Sequence, residues 1–413
     1  MSVFQPIIGI AVFISIAWIL SENKKKIPLR FIGWGVFSQI LLALIFLKMP
    51  AGVHIFSPLN KAVNVLQDVT QEAAGFMFGY LAGGVTPFEV KTPEANFIIA
   101  FRVLPLILVV SAISALLFYL KVLPTIIRVF SALLQKTFKI SGPLGFGAAS
   151  TVFLGTIEAP LMIKPYLTKL TRSELFSLLS CTMATVAGTV MVLYAGVLKQ
   201  VIPNPMTHLL VASLMSVPAA MMIAAIMIPE TNLQPSKKKK FDQLALGYRG
   251  PFDALIKGTV EGVQMIINIV GVIITFFALI YLFNRVLAGV GISHSIQQIL
   301  GVLLRPLMWL TGISWNDSAL AGELMGTKII LNEFVSYLEL SKVYSQFSDS
   351  TRLILTYCLC GFANLGSLGI VVGGLSTLLP ERRDELIQLG MKSLVSGNLA
   401  VLITGAIAGL IAG

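Results

Sequence analysis

The chain has 413 residues, 56% of them hydrophobic and 12% charged, whereas water-soluble domains carry about 25% charged residues. That excess of apolar surface excludes a water-soluble globular fold. The apolar residues come in charge-free runs of about 20, the length with which an α-helix crosses ~30 Å of hydrocarbon. A net charge of +11 would suggest nucleic acid as partner of a soluble chain. Here the Lys and Arg lie in short clusters between apolar runs, the pattern of cytoplasmic loops, so lipid and not nucleic acid is the expected surrounding.

Taken in chain order, the expected membrane spans are residues 3–20, 31–47, 97–120, 175–198, 209–228, 263–283, 353–375 and 394–412. The first has no basic residue before it and Lys24, Lys25 and Lys26 after it. This reverses the charge order of a signal peptide, and the run reads as a retained span. Residues 58–80, with Asn60, Lys61, Gln67, Asp68, Gln71 and Glu72, are amphipathic, as are residues 122–139, with Arg128, Gln135 and Lys136. Both are expected to lie along the membrane interface or to cover a neighbouring domain. Residues 229–249, which include Pro235 and the run Lys237 to Lys240, form a basic loop between two halves. Four basic clusters are separated by even numbers of crossings: Lys24 to Lys26 with Arg30, the stretch from Lys121 to Arg172, Lys237 to Lys240, and Arg382 with Arg383. All four therefore face the cytoplasm together, which puts both termini outside a cytoplasmic (inner) membrane.

Two segments are too interrupted for clean spans and too apolar for soluble loops. Residues 141–166 carry Gly155-Thr156-Ile157-Glu158-Ala159-Pro160, and residues 317–340 carry Gly326-Thr327-Lys328 and Leu331-Asn332-Glu333-Phe334. Re-entrant hairpins satisfy both features, because non-helical backbone at membrane depth is tolerated where it is buried in protein or lines a cavity. Each hairpin is followed by a span rich in small and polar residues and then by another span, and the charge-derived topology inserts the two hairpins from opposite sides. The expected fold is an all-α polytopic membrane protein of about eight transmembrane helices, two re-entrant hairpins in inverted repeats, and amphipathic interfacial helices.

A carboxylate at bilayer depth is costly unless paired, protonated or bathed by a polar cavity, so Glu158 and Glu333 are the leading functional candidates. The alternative is that each hairpin tip reaches the aqueous interface. Gly361, Gly366 and Gly369 weaken the seventh span and allow its backbone to open. Asn364 and Ser367 are three apart and would share a helix face. With Glu333 they offer donors and acceptors suited to a vicinal diol, or else they serve as interhelical glue.

The other candidates carry less. Cys181, Cys358 and Cys360 lie in or beside apolar segments without metal or redox spacing, so neither a disulfide framework nor a metal site is expected. His54, His208 and His294 fall in loops or at segment ends and read as surface residues, and Arg102 is expected to reach the outer interface. Glu323 is either a third buried acid or an exposed one.

Residues 326–337, Gly-Thr-Lys-Ile-Ile-Leu-Asn-Glu-Phe-Val-Ser-Tyr, resemble the Gly/Ala-X-Lys-X3-Asn-Glu-Phe-Val-Ala-(Tyr/Met/Phe) motif of the concentrative nucleoside transporter family, with Ser336 in place of the usual Ala. Gly361-Phe362-Ala363-Asn364 with Gly366-Ser367, and Glu158-Ala159-Pro160-Leu161 with Lys164-Pro165-Tyr166-Leu167, resemble further segments of that family. The resemblance implies an elevator-type secondary active symporter, usually a homotrimer, that imports nucleosides and has no cofactor. It implies that Glu333, Asn364 and Ser367 hold the ribose, that Phe362 lines the pocket and that Val190 contacts the base. On this reading residues 1–138 are scaffold and interfacial helices, and 139–230 form the first half of a transport domain. Residues 231–312 hold the basic loop, an interfacial helix and a scaffold span, and 313–413 complete the transport domain.

Two positions depart from the sodium-coupled pattern. Thr156-Ile157 stand where those relatives have Gln-Thr before the glutamate, which leaves the preferred base open and admits a modified nucleoside or a related polar metabolite. Thr151 stands where they use Asn beside a hydroxyl at Thr185 and carbonyls at Leu154 and Val186. A proton, with Glu333 or Glu158 as its carrier, is therefore favoured over sodium as coupling ion. An intramembrane enzyme is disfavoured, since no Asp lies in an expected span and no His-Glu-X-X-His occurs. The inverted repeats favour a carrier over a channel.

Overall fold

The computed structural model describes residues 4–89, 91, 97–231 and 247–412, and every regular element among them is helical. The chain begins with α1 (Phe4–Ile19), α2 (Leu29–Ala43), α3 (Pro50–Phe78), α4 (Ile99–Arg102), α5 (Pro105–Tyr119) and α6 (Val122–Phe138). It continues through α7 (Gly142–Ser150), α8 (Glu158–Leu161), α9 (Lys164–Leu167), α10 (Arg172–Ala184), α11 (Gly188–Val197), α12 (Pro205–Met227) and α13 (Pro251–Gly289). The last third is α14 (Ile296–Leu310), α15 (Ser318–Ile330), α16 (Glu333–Val343), α17 (Asp349–Leu359), α18 (Leu365–Leu378) and α19 (Arg383–Ala412).

Each of the eight expected spans coincides with helix; residues 97–120 are parted by a tight turn at residues 103–104 between α4 and α5, and two more are opened by non-helical backbone. Residues 175–198 fall on α10 and α11, separated at residues 185–187, and residues 353–375 fall on α17 and α18, separated at residues 360–364. The opening in the second lies at Gly361, while Gly366 and Gly369 continue inside α18. The Lys237 to Lys240 cluster lies outside the described residues, as do residues 232–246 of the loop that carries it.

Local chemistry sets the ends of these helices. Proline occupies the first turn of α3, α5, α12 and α13, where a missing N–H costs nothing. Reciprocal capping boxes start α10, with Thr171 and Glu174, and α14, with Ser295 and Gln298. α6 buries Ile127, Ser131, Leu134 and Phe138 at helical spacing while Val129 and Leu133 are exposed, so one stripe of the helix packs on protein.

The protein interior is the bundle of α10, α12, α17 and α19. The membrane-length window of α12 is 89% buried, against 6% for α13, which identifies α12 as central and α13 as peripheral. α13 packs along α5 so closely that a Cβ on Gly258 would stand 2.6 Å from the Ser111 carbonyl oxygen. Small residues permit such approach between helices in lipid. The outer face of α13 exposes Ile256, Val260, Val263, Ile267 and Ile274, a surface matched to acyl chains.

Both hairpins are present. In the first, α7 leads into non-helical backbone at residues 151–157 and then the short α8 and α9. In the second, α15 and α16 pack on each other and are separated by Leu331 and Asn332. A hairpin, a broken span and a long helix follow in that order twice, as α7 to α12 and as α15 to α19.

Candidate functional site

The site forms where the second hairpin meets the break in the seventh span. Asn332 caps α16, its Oδ1 accepting from the Val335 N–H at 2.9 Å, which makes Glu333 the first residue of that helix. Asn364 caps α18 in the same way, its Oδ1 accepting from the Ser367 N–H at 2.7 Å. Asn364 is therefore not a helical neighbour of Ser367 on a common face; it is the cap that starts the helix on which Ser367 sits. Its other amide atom, Nδ2, donates to Glu333 Oε2 at 2.9 Å. A carboxylate at the start of α16 is joined to the cap of α18. Both helix ends carry partial positive charge, which favours an anion there.

Glu333 and Asn364 are 3% and 1% exposed, so this polar pair is deeply buried. The second carboxylate oxygen, Oε1, accepts from the Tyr194 hydroxyl at 2.5 Å. Lys328, five residues before Glu333, is 0% exposed and donates to Asn398 Oδ1 at 2.7 Å. Asn398 Nδ2 in turn donates to the carbonyls of Ala363, at 3.1 Å, and Leu394, at 2.9 Å. A buried cation, a buried anion and two amides thus brace the opened backbone at residues 360–364. A buried charge needs this compensation by partner and hydrogen bonds.

The two broken spans cross at their breaks. The Phe362 N–H donates to the Thr185 carbonyl at 3.2 Å, and a Cβ on Gly361 would lie 3.0 Å from the Ala184 carbonyl oxygen. Thr185, 1% exposed, directs its hydroxyl to the carbonyls of Thr151, at 3.1 Å, and Cys181, at 2.9 Å. The Thr151 hydroxyl donates to the Ala148 carbonyl at 2.8 Å. The Val186 N–H donates to Ser213 Oγ at 3.2 Å, and Leu154 N–H to the Ser150 carbonyl at 2.9 Å. Thr151 and Thr185 are therefore in contact, and the Thr185 carbonyl ties that cluster to the segment bearing Phe362 and Asn364.

The first hairpin stands differently. Glu158 begins α8 and is exposed, while Ala159 and Pro160 beside it are buried. It is not one of the groups bonded to Glu333. Thr156 and Ile157 are half-buried, and Ile157 lies against α18 at Gly374. Val190 is buried near the start of α11, and Phe362 and Ser367 are half-buried. The Gly188 N–H donates to the Phe153 carbonyl at 3.3 Å, which joins the first hairpin to the break between α10 and α11.

Three residues of this network were not singled out by sequence. Lys328 sits within the quoted motif and Asn398 is the lone amide of the last apolar run; either could have been flagged as a polar group at bilayer depth. Tyr194 gave no such signal. His208 departs from the surface role expected for it, since its Nδ1 lies 3.2 Å from the Tyr357 hydroxyl and the rings meet edge to face. His294 is exposed, Glu323 is half-buried, and the side chain of His54 lies outside those described. Arg102 stacks over Phe97 with its guanidinium 5.7 Å from the ring centre. The three cysteines are free and buried. A shallow cavity of about 320 Å³ at Asn284, Ala288 and Gly291 lies at the end of α13 and includes none of these site residues.

Three family models cover most of the chain. Residues 8–81 match the Na+ dependent nucleoside transporter N-terminus, residues 100–201 a nucleoside recognition (gate) domain, and residues 208–409 the Na+ dependent nucleoside transporter C-terminus. The chain belongs to the concentrative nucleoside transporter family. The putative nucleoside permease NupX of Escherichia coli (strain K12) is 35% identical over 424 residues, with 100% of both chains covered. Nucleoside permease NupC of Helicobacter pylori is 33% identical over 417 residues, covering 98% of this chain and 97% of that one. The structure of the transporter CNTnw in an inward-facing substrate-bound state superposes with a TM-score of 0.91 at 36% identity over 100% of both chains. A variant of CNTnw in an outward-facing state gives 0.89 at 35% identity, with 100% and 98% covered. A concentrative nucleoside transporter is a membrane carrier and not an enzyme, and the helical, strand-free architecture of the described residues agrees with it.

Proposed function

We propose that this transporter imports nucleosides across the cytoplasmic membrane by proton symport, with Glu333, Asn364 and Ser367 as the ribose site. The observation that carries the reading is the buried Glu333 carboxylate held between two helix N-termini, with Asn364 Nδ2 at 2.9 Å. An ionised carboxylate accepting sugar hydroxyls makes charge-assisted bonds, stronger than neutral ones. Phe362 lines this pocket, and Val190, Thr156 and Ile157 meet the base. Thr156 and Ile157 offer one hydroxyl and no amide, which favours a base, or a modified ring, that needs little edge recognition on this side.

Proton rather than sodium coupling is supported by the cluster at Thr151, Leu154, Thr185 and Val186. Thr151 and Thr185 direct their hydroxyls to protein carbonyls, and a hydroxyl there is a weaker ligand for a hard cation than an amide carbonyl. Of the two glutamates, Glu158 is the better proton carrier. Its side chain reaches solvent from among surrounding protein, whereas Glu333 is bonded at both oxygens.

In an elevator cycle the hairpins and broken spans move as one body against the still pair α5 and α13, three copies assembling as a trimer with their termini outside. Inward- and outward-facing structures of CNTnw make such a cycle a natural reading. The test is uptake of labelled uridine or adenosine into proteoliposomes under an imposed pH gradient, with and without sodium. Uptake should follow the pH gradient, collapse with an uncoupler and be lost in Glu333→Gln. Uptake that requires sodium, or that survives the uncoupler, overturns proton coupling; uptake that survives Glu333→Gln overturns the site.

A further inference from the structure

Tyr194 touches the centre of the site from α11. It is 1% exposed, and its hydroxyl donates to Glu333 Oε1 at 2.5 Å. Its ring lies nearly parallel to Phe334, with centroids 5.9 Å apart and planes at 19°, and leans on Tyr337 at 5.3 Å. Phe334 and Tyr337 are on α16, the helix that begins with Glu333, so the tyrosine is wedged against the element that bears its acceptor.

A carboxylate has about four lone-pair sites, two on each oxygen. Tyr194 takes one on Oε1 and Asn364 takes one on Oε2. Each oxygen is thus held by one side-chain donor, and the two donors together stop rotation about the last side-chain bond of Glu333, which is otherwise broad and two-fold. A carboxylate fixed in one plane presents its two oxygens, in a set orientation, to two O–H groups on adjacent carbons. We propose that Tyr194 is a positioning residue for sugar selectivity, locking the Glu333 carboxylate so that it accepts both hydroxyls of a cis vicinal diol at once. A sugar with one hydroxyl or none gains little from that lock. The inference rests on Glu333 as the ribose acceptor and adds the group that makes its recognition bidentate.

The experiment measures Kd of the purified transporter in lipid nanodiscs by calorimetry for four nucleosides that share a base: ribose, 2′-deoxy, 3′-deoxy and 2′,3′-dideoxy forms. Tyr194→Phe removes one oxygen and keeps the stacked ring. It should weaken the ribonucleoside about tenfold, the loss of about one hydrogen bond to a charged group, while the dideoxy form changes less than about twofold, so the ribo-to-dideoxy ratio collapses. Loss of affinity by the same factor for all four sugars, or no change, overturns the proposal. Glu333→Gln separates the two levels: if it leaves ribonucleoside affinity intact, the Glu333 reading itself has failed. If it abolishes the ribo preference while Tyr194→Phe retains it, only the positioning role has failed. Should Tyr194→Phe not fold, Phe334→Leu keeps the hydroxyl but removes its stacking partner. It should reduce the ratio in the same direction by less; an unchanged ratio overturns the proposal.

Discussion

Lys328 and Asn398 meet inside the protein from positions 70 residues apart, with the ammonium nitrogen 2.7 Å from the amide oxygen. The same amide donates to the Ala363 carbonyl, one residue before Asn364. The cation of the second hairpin therefore braces the opened segment that presents the Glu333 partner. We expect Lys328→Met to leave Glu333 as an unbalanced buried charge and to lower stability by about 3 kcal/mol. Asn398→Ala should cost about 1.5–3 kcal/mol, the scale of a hydrogen bond to a charged group. Denaturant unfolding in detergent micelles measures both; a Lys328→Met protein that unfolds like the wild type would contradict the bracing role.

Glu22, in the loop between α1 and α2, accepts from Arg172 Nη2 at 2.9 Å and Nε at 3.3 Å, and from Lys392 Nζ at 2.7 Å. These partners, the Arg172 hydrogen bond first, hold its pKa down from the usual 4.5 to about 2, against the opposing effect of burial. A folded pKa below the unfolded one gives stability that is complete above about 4.5 and lost as pH falls through about 2. The gap in melting temperature between wild type and Glu22→Gln should be constant near neutral pH and narrow below about 4.5. A gap of the same size at pH ~3 as at neutrality would rule this linkage out.

Thr151 donates its hydroxyl to the Ala148 carbonyl, and its own carbonyl receives the Thr185 hydroxyl. Thr151→Asn restores the side-chain carbonyl that sodium-coupled relatives place here, and hard cations prefer such oxygen ligands. Uptake by this variant should become several-fold higher in sodium than in choline at fixed pH, while the wild type is indifferent. Indifference in both proteins would remove Thr151 as the determinant of ion choice.

Gly361 sits where the two broken spans cross. A Cβ there would stand 2.9 Å from Val401 Cγ1 and 3.0 Å from the Ala184 carbonyl oxygen. The backbone contact cannot yield as a flexible side chain does, so Gly361→Ala should cost about 1–3 kcal/mol, the range of overpacking. Uptake should fall with it, because Phe362 and Asn364 follow directly. Melting temperature and initial uptake rate are the measurements; a variant with both unchanged would mean that the crossing has slack.

The pattern of apolar and charged residues located the spans, the two hairpins and Glu333. Those features follow from local rules: a helix needs about 20 apolar residues to cross a bilayer, and a carboxylate within such a stretch stands out by its cost. The motif around Glu333 and the Gly361 segment were legible by their resemblance to segments of a known family. Which polar groups meet is set by the packing of the helices. The break between α10 and α11 lay inside an apolar run with no proline to mark it. Asn364 turned out to cap α18 instead of sharing its face with Ser367. Glu158 and Glu333, alike in sequence, separated into an exposed carboxylate and a buried one bonded at both oxygens. Tyr194 reaches Glu333 across 139 residues and Lys328 reaches Asn398 across 70. Such pairings depend on how helices cross, and a one-dimensional pattern of polarity records that a polar group is buried without recording its partner.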